Sequence, residues 1–182
     1  MHIIIGILGT AVAIIFFLSR MSAGAREVGR GAQDLADAAQ TLSNLPRKMR
    51  YRKKAGKKGL DLVEGPVEAA TVLMIAIARM DGMGQLSDTQ KSKIYQQLQD
   101  HMQLSANDAE DYVLQLGSLT AELKQADSAL FPMVDLLQKI INTDEARQLS
   151  LMLQVVGETD GPLNRDQEFF IQRFDERMGI GV

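Results

Sequence analysis

Two apolar stretches of the chain, residues 71–78 and 149–156, break off at Asp-Gly. Residues 71–78 carry Val72, Leu73, Met74, Ile75 and Ile77 with no charged side chain, so a helix there is apolar on every side and belongs in the centre of a bundle. This run reaches Asp81-Gly82. Residues 149–156 carry Leu149, Leu151, Met152, Leu153, Val155 and Val156 and reach Asp160-Gly161. Glycine takes the left-handed conformation that ends a helix without steric cost, so each Asp-Gly predicts a helix stop. A leucine follows each stop, then Ser87 or Asn164, with Gln90 or Gln167 three residues further on. That is the capping-box pattern, in which the cap side chain and the third helical residue satisfy each other's orphaned backbone N–H groups. Apolar helix, Asp-Gly and capped helix, occurring twice, predict an internal duplication with pseudo-twofold symmetry.

The same periodicity places the other helices. Gly65-Pro66 opens the first buried one, proline being suited to a first helical turn. A helix over about 88–102 turns Ile94, Leu98 and Met102 inward and Lys91, Gln97 and Asp100 to water. Ser105 caps one over about 106–126, with Asp108 and Glu110 near its positive dipole end and Tyr112, Val113, Leu116, Leu119 and Leu123 inside. A fourth, about 129–142, carries Leu130, Met133, Val134, Leu137, Ile140 and Ile141. Thr143 with Asp144-Glu145 opens a fifth, about 144–158, expected to pack on the 71–78 helix, and a sixth, about 165–178, holds Phe169, Phe170, Ile171, Phe174 and Met178. The expected fold class is all-α: an N-terminal transmembrane helix, then a pseudo-symmetric bundle of about six helices.

The transmembrane expectation rests on residues 3–18, apolar apart from Gly6, Gly9 and Thr10. As a helix they span about 24 Å, and Met1, His2, Ser19 and Met21 extend them toward the roughly 30 Å of a hydrocarbon core while Arg20 snorkels to the headgroups. The competing reading is a cleaved secretory signal with Ala23-Gly24-Ala25 as cleavage site. A signal carries basic charge before its apolar run, whereas here the cations follow it and only His2 precedes. The cations therefore favour an anchor with its N-terminus outside and the body in the cytoplasm of a bacterial inner membrane. Gly6, Gly9, Thr10 and Ala13 put small residues four apart, which suits close pairing of two such helices and hence a homo-oligomer.

Residues 22–45 keep helical composition with a narrow stripe of Val28, Ala32, Leu35, Ala39 and Leu42, and Pro46 ends it. Arg47, Lys48, Arg50, Arg52, Lys53, Lys54, Lys57 and Lys58 follow. Just inside an anchor, such a run meets anionic lipid at about 1 kcal/mol of attraction per cation and enforces topology. A protein contact is the second reading. Nucleic acid, which basic clusters also bind, is set aside on position.

Composition agrees with helices. Tryptophan is absent, aromatics are 5% and prolines number four, which disfavours a β-sandwich or barrel. The 46% hydrophobic content supplies one core, and the lack of cysteine excludes disulfides and thiolate metal sites. Net charge is −3, but residues 1–60 hold 11 Lys/Arg against 3 Asp/Glu while 61–182 hold 9 against 20. A basic neck thus joins an acidic body, and the predicted organisation is anchor 1–20, juxtamembrane neck 21–60 and helical domain 61–182.

Enzyme signatures are missing. There is no phosphate-cradling glycine motif, nucleophile elbow or zinc-type His/Glu spacing, and His101 reads as a surface or packing residue. The one candidate chemistry is metal binding. Asp81 and Asp88 flank the first loop and Asp160 and Asp166 the second, and such oxygen ligands suit calcium or magnesium; helix capping is the alternative use of the same loops.

Residues 75–82 (Ile-Ala-Ile-Ala-Arg-Met-Asp-Gly) with Leu86-Ser87, and the second Asp160-Gly161 with Leu163-Asn164, resemble the TerB-like family, the tellurite-resistance-associated helical domains also found in DjlA-type membrane-anchored co-chaperones. The likeness covers about 63–180. It implies a TerB-like bundle, an association of acidic clusters with divalent cations, and a role in tellurite or envelope stress. The family commonly has glutamate where Gln90 and Gln167 stand, and no His-Pro-Asp triplet is present, so a J domain is not encoded. The sequence as a whole points to a non-enzymatic, membrane-anchored adaptor that docks a cytoplasmic or membrane protein, with a cation-binding stress sensor as the alternative.

Overall fold

Proline at its first position and a glutamate at its third start the central helix, α1 (Pro66–Arg79). The Glu68 carboxylate accepts from the backbone N–H groups of Glu64 (2.8 Å) and Gly65 (3.2 Å), which would otherwise be orphaned at the helix entrance. Every residue from Val67 to Ala78 is buried, as a helix apolar on all sides requires. The structure is a computed structural model describing residues 56–81, 85–123 and 125–181. The expected span 1–20 and nearly all of the neck 21–60 lie outside these residues; among those described, no helix is long and apolar enough to cross a membrane.

Around α1 stand α2 (Asp88–Met102), α3 (Ala106–Thr120), α4 (Leu130–Leu137), α5 (Thr143–Gly157) and α6 (Arg165–Met178), with short 3-10 helices at Gly59–Leu62 and Ala126–Ala129. Six α-helices and no strand among the described residues make the domain all-α. α1 packs on α3, α4 and α5, and α6 lies across α5 and α4. One hydrophobic core results, filled by Leu73, Met74, Ile75 and Ile77 of α1 with Ile94, Leu116, Leu130, Leu153, Phe170 and Phe174 from the surrounding helices.

Cap chemistry sets most boundaries. Ser87 and Asn164 are the N-caps of α2 and α6, accepting from the N–H of Gln90 (3.1 Å) and Gln167 (2.9 Å). Ser105 caps α3. Asn142, rather than Thr143, caps α5, accepting from Asp144 and Glu145 N–H while Glu145 accepts from the Asn142 N–H in return.

Several expectations need correction. α3 ends at Thr120, not near 126: past it the backbone makes a single tighter turn, Leu123 N–H to Thr120 O (3.2 Å), and at this carbonyl end the Arg79 guanidinium donates to Gly117 O (2.9 Å) and Thr120 Oγ1 (2.7 Å). α4 starts within one residue of expectation, with Pro132 in its first turn, but ends at Leu137 rather than 142: there the backbone tightens to the bonds Lys139 N–H to Leu136 O (3.3 Å) and Ile140 N–H to Leu137 O (2.8 Å). Gln97 is buried, not in water, while Leu151, Val155 and Phe169 are exposed. The helices before each Asp-Gly stop short of it, at Arg79 and Gly157. Gly161 sits at φ +152°, a conformation suited to glycine but not the left-handed cap expected; Gly82 lies outside the described residues. Left-handed caps are found instead at Gln103 (φ 52°), which closes α2, and at Gly179 (φ 72°), which closes α6.

Candidate functional site

The two Asp-Gly loops meet at one end of the bundle. Thr89 Oγ1 donates to Asp160 Oδ1 (3.0 Å) and Asn164 Nδ2 to Met80 O (2.9 Å), so each loop holds a group of the other. Behind them lie the two glutamines, 2% and 3% exposed. Gln90 Oε1 accepts from the Ser87 N–H (3.0 Å), which fixes its Nε2 as the donor to Ala78 O (3.1 Å) and to Asp81. Gln167 repeats the arrangement: Oε1 accepts from the Asn164 N–H (3.0 Å), and Nε2 donates to Ile77 O (3.1 Å) and Gly157 O (3.3 Å). Ala78 and Gly157 occupy equivalent places ahead of their Asp-Gly pairs, so both loops use one scheme. An ionised glutamate only accepts, and here it would face backbone carbonyls. The amide is what lets one side chain cap the entering helix and the leaving one together. Gly157 also permits close approach, since a Cβ there would meet Leu163 Cδ2 at 2.5 Å and Ile77 Cδ1 at 3.3 Å.

The four carboxylates considered as metal ligands have separate surroundings. Asp81 is half-buried and accepts from Gln90; Asp160 accepts from Thr89. Asp88 is exposed and hydrogen-bonded by Lys91 (2.9 Å), which holds its carboxyl below the usual carboxylate range. Asp166 is exposed at the start of α6. Among the described residues, no three His, Asp or Glu side chains converge as metal ligands would. His101 contributes a long contact to Gln148 (3.4 Å) between α2 and α5.

Of the basic run, Lys57 and Lys58 are described; Arg47, Lys48, Arg50, Arg52, Lys53 and Lys54 lie outside. Lys57 and Lys58 are exposed, and Lys57 pairs with Glu64 just ahead of α1.

Beside the joined loops runs a surface groove of about 590 Å³, bounded by the end of α1, the 3-10 helix 126–129 and α6. Arg165, Phe169 and Arg173 fall four apart on α6 and form one stripe along its wall, with Arg79 opposite and Phe170 and Leu130 below. Phe169 is 47% exposed, and the Arg173 guanidinium lies 5.7 Å from its ring centre. Arg173 approaches Asp127 at 4.0 Å, while among the described residues Arg165 makes no ion pair. Arg79 spends its terminal nitrogens on α3, its buried Nε has no partner among the described residues, and burial pushes its pKa down; as a guanidinium it keeps its charge. The joined loops hold this groove in place, since Met80 and Asn164 tie the end of α1 to the start of α6.

This groove was not visible in the sequence. Its arginines are separated by up to 94 positions, from 79 to 173, and the phenylalanine between them is one of an apparently inward set. The only local signal is the four-residue spacing of Arg165, Phe169 and Arg173. No protein-family model, curated protein or solved structure matches the chain.

Proposed function

We propose that the protein is a membrane-anchored adaptor: a single N-terminal span with its N-terminus outside, a basic neck at the inner leaflet, and a cytoplasmic TerB-like bundle that docks a protein partner through the groove on α6. The carrying observation is the Arg165–Phe169–Arg173 stripe, which leaves a large aromatic ring half in solvent between two cations on a domain whose core is otherwise filled. Aromatic and arginine side chains are the residues on which binding energy concentrates at protein interfaces. The matched glutamine schemes of the two loops support the duplication. The neck's cations attract anionic lipid and hold the acidic body near the membrane surface.

The test is recovery of the full-length chain in mild detergent and identification of what accompanies it, with Phe169→Ala alongside. A stoichiometric protein partner that Phe169→Ala loses is the expected result. Absence of any partner, or turnover of a small substrate abolished by substitutions in the bundle, sinks the reading.

A further inference from the structure

We infer that the α6 groove takes an acidic peptide segment, with carboxylates on Arg165 and Arg173 and an apolar side chain against Phe169. The inference rests on the adaptor reading and names the chemistry of its partner. Residues 61–182 hold only nine Lys/Arg against 20 Asp/Glu, yet Arg79, Arg165 and Arg173 all line this one groove. On a body so acidic overall, three guanidinium groups in one groove mark a place where an acidic segment is accepted, and carboxylates around it disfavour other registers. Guanidinium groups bind carboxylates bidentately, and Arg165 is free of ion pairs among the described residues to do so. Asp127, 4.0 Å from Arg173, and Asp166 also line the groove and argue against a flat anionic bilayer or a nucleic-acid backbone, which would press phosphates onto both carboxylates. A peptide can place its acidic side chains on the arginines and turn backbone N–H groups toward those aspartates.

The experiment uses the full-length chain in nanodiscs and two fluorescent pools of nine-residue peptides, one with three fixed glutamates among mixed apolar residues, the other with glutamines at those positions. Because the neck attracts any acidic peptide, binding is measured in a background with Arg50, Arg52, Lys53, Lys54, Lys57 and Lys58 changed to Gln. The glutamate pool is expected to bind about tenfold more tightly or better, the equivalent of one well-made ionic hydrogen bond. Arg165→Gln with Arg173→Gln should abolish that preference, and Phe169→Ala should weaken both pools while preserving it. All three substitutions fall on exposed positions, and unchanged thermal melting checks that the fold is intact. Equal binding of the two pools, or a preference that survives the double substitution, overturns the proposal. A natural partner held equally by wild type and double variant would leave the adaptor reading standing and remove this one.

Discussion

At Gln167 a single amide donates to carbonyls of two different helices and accepts at its own helix entrance. Gln167→Glu replaces the donor with a buried carboxylate aimed at those carbonyls, and we expect a loss of about 3 kcal/mol at neutral pH, read by urea denaturation. In acid the new carboxyl protonates and can donate again, so the deficit should shrink as pH falls. Asp175 gives the opposite experiment. Burial raises its pKa, offset in part by a hydrogen bond with Ser150, and its Oδ1 is buried with no hydrogen-bond partner among the described residues. A carboxyl whose folded pKa exceeds its unfolded one costs stability above the folded value, and the cost disappears as pH drops below the unfolded one. Asp175→Asn should therefore raise the melting temperature at pH 7 and match wild type in acid. A difference that grows on acidification would contradict this assignment. Gln103, left-handed at φ 52°, should gain about 1 kcal/mol on replacement by glycine, also read by denaturation.

Among the elements, α3 has its carbonyl end bonded by a cationic side chain of another helix. Arg79 supplies hydrogen bonds and positive charge at its carbonyl terminus, where the dipole favours a cation. Arg79→Met keeps much of the apolar stem and removes both bonds; a loss of about 2 kcal/mol is expected, with hydrogen exchange accelerating first in the last turn of α3. Unchanged protection there would show that the two Arg79 bonds add nothing to the last turn of α3. Helix boundaries were legible in the sequence where a local device sets them. Ser87, Ser105 and Asn164 cap as their types predict, and α2 and α6 begin where their capping boxes lie. The misread boundaries depend on something else. Past Thr120 and past Leu137 the backbone tightens to i→i+3 bonds, Leu123 N–H to Thr120 O and Ile140 N–H to Leu137 O, at positions where the apolar spacing runs on unbroken. Periodicity also overfilled the inner faces of α5 and α6, because an apolar residue at a plausible helical position carries no mark distinguishing the core from a binding groove: Phe170 is buried and Phe169 beside it is not. The site was the least legible part, its arginines being gathered by tertiary packing alone.

For the whole molecule, the division between basic neck and acidic body predicts separable behaviour. Changing Arg50, Arg52, Lys53, Lys54, Lys57 and Lys58 to Gln should leave the bundle's melting temperature nearly unchanged, since the Lys57–Glu64 pair, about 44% and 42% exposed, is the surface kind that contributes little. Vesicle binding by a chain lacking residues 1–20 should weaken by up to about 1 kcal/mol per cation removed at low salt, and less as salt rises. Equal binding across that range would assign the run to a protein partner.

The bonds that close α1 come from far along the chain: the carbonyls of Ile77 and Met80 are satisfied by Gln167 and Asn164, and Phe170 and Phe174 complete the core around it. During synthesis, therefore, the central helix of the domain is made before every helix that packs on it, and the groups that close its end come last. Until α6 leaves the ribosome, the end of α1 keeps open carbonyls and the core lacks Phe170 and Phe174, and it is in that interval, rather than in the finished molecule, that the chain is most exposed to chaperones and proteases.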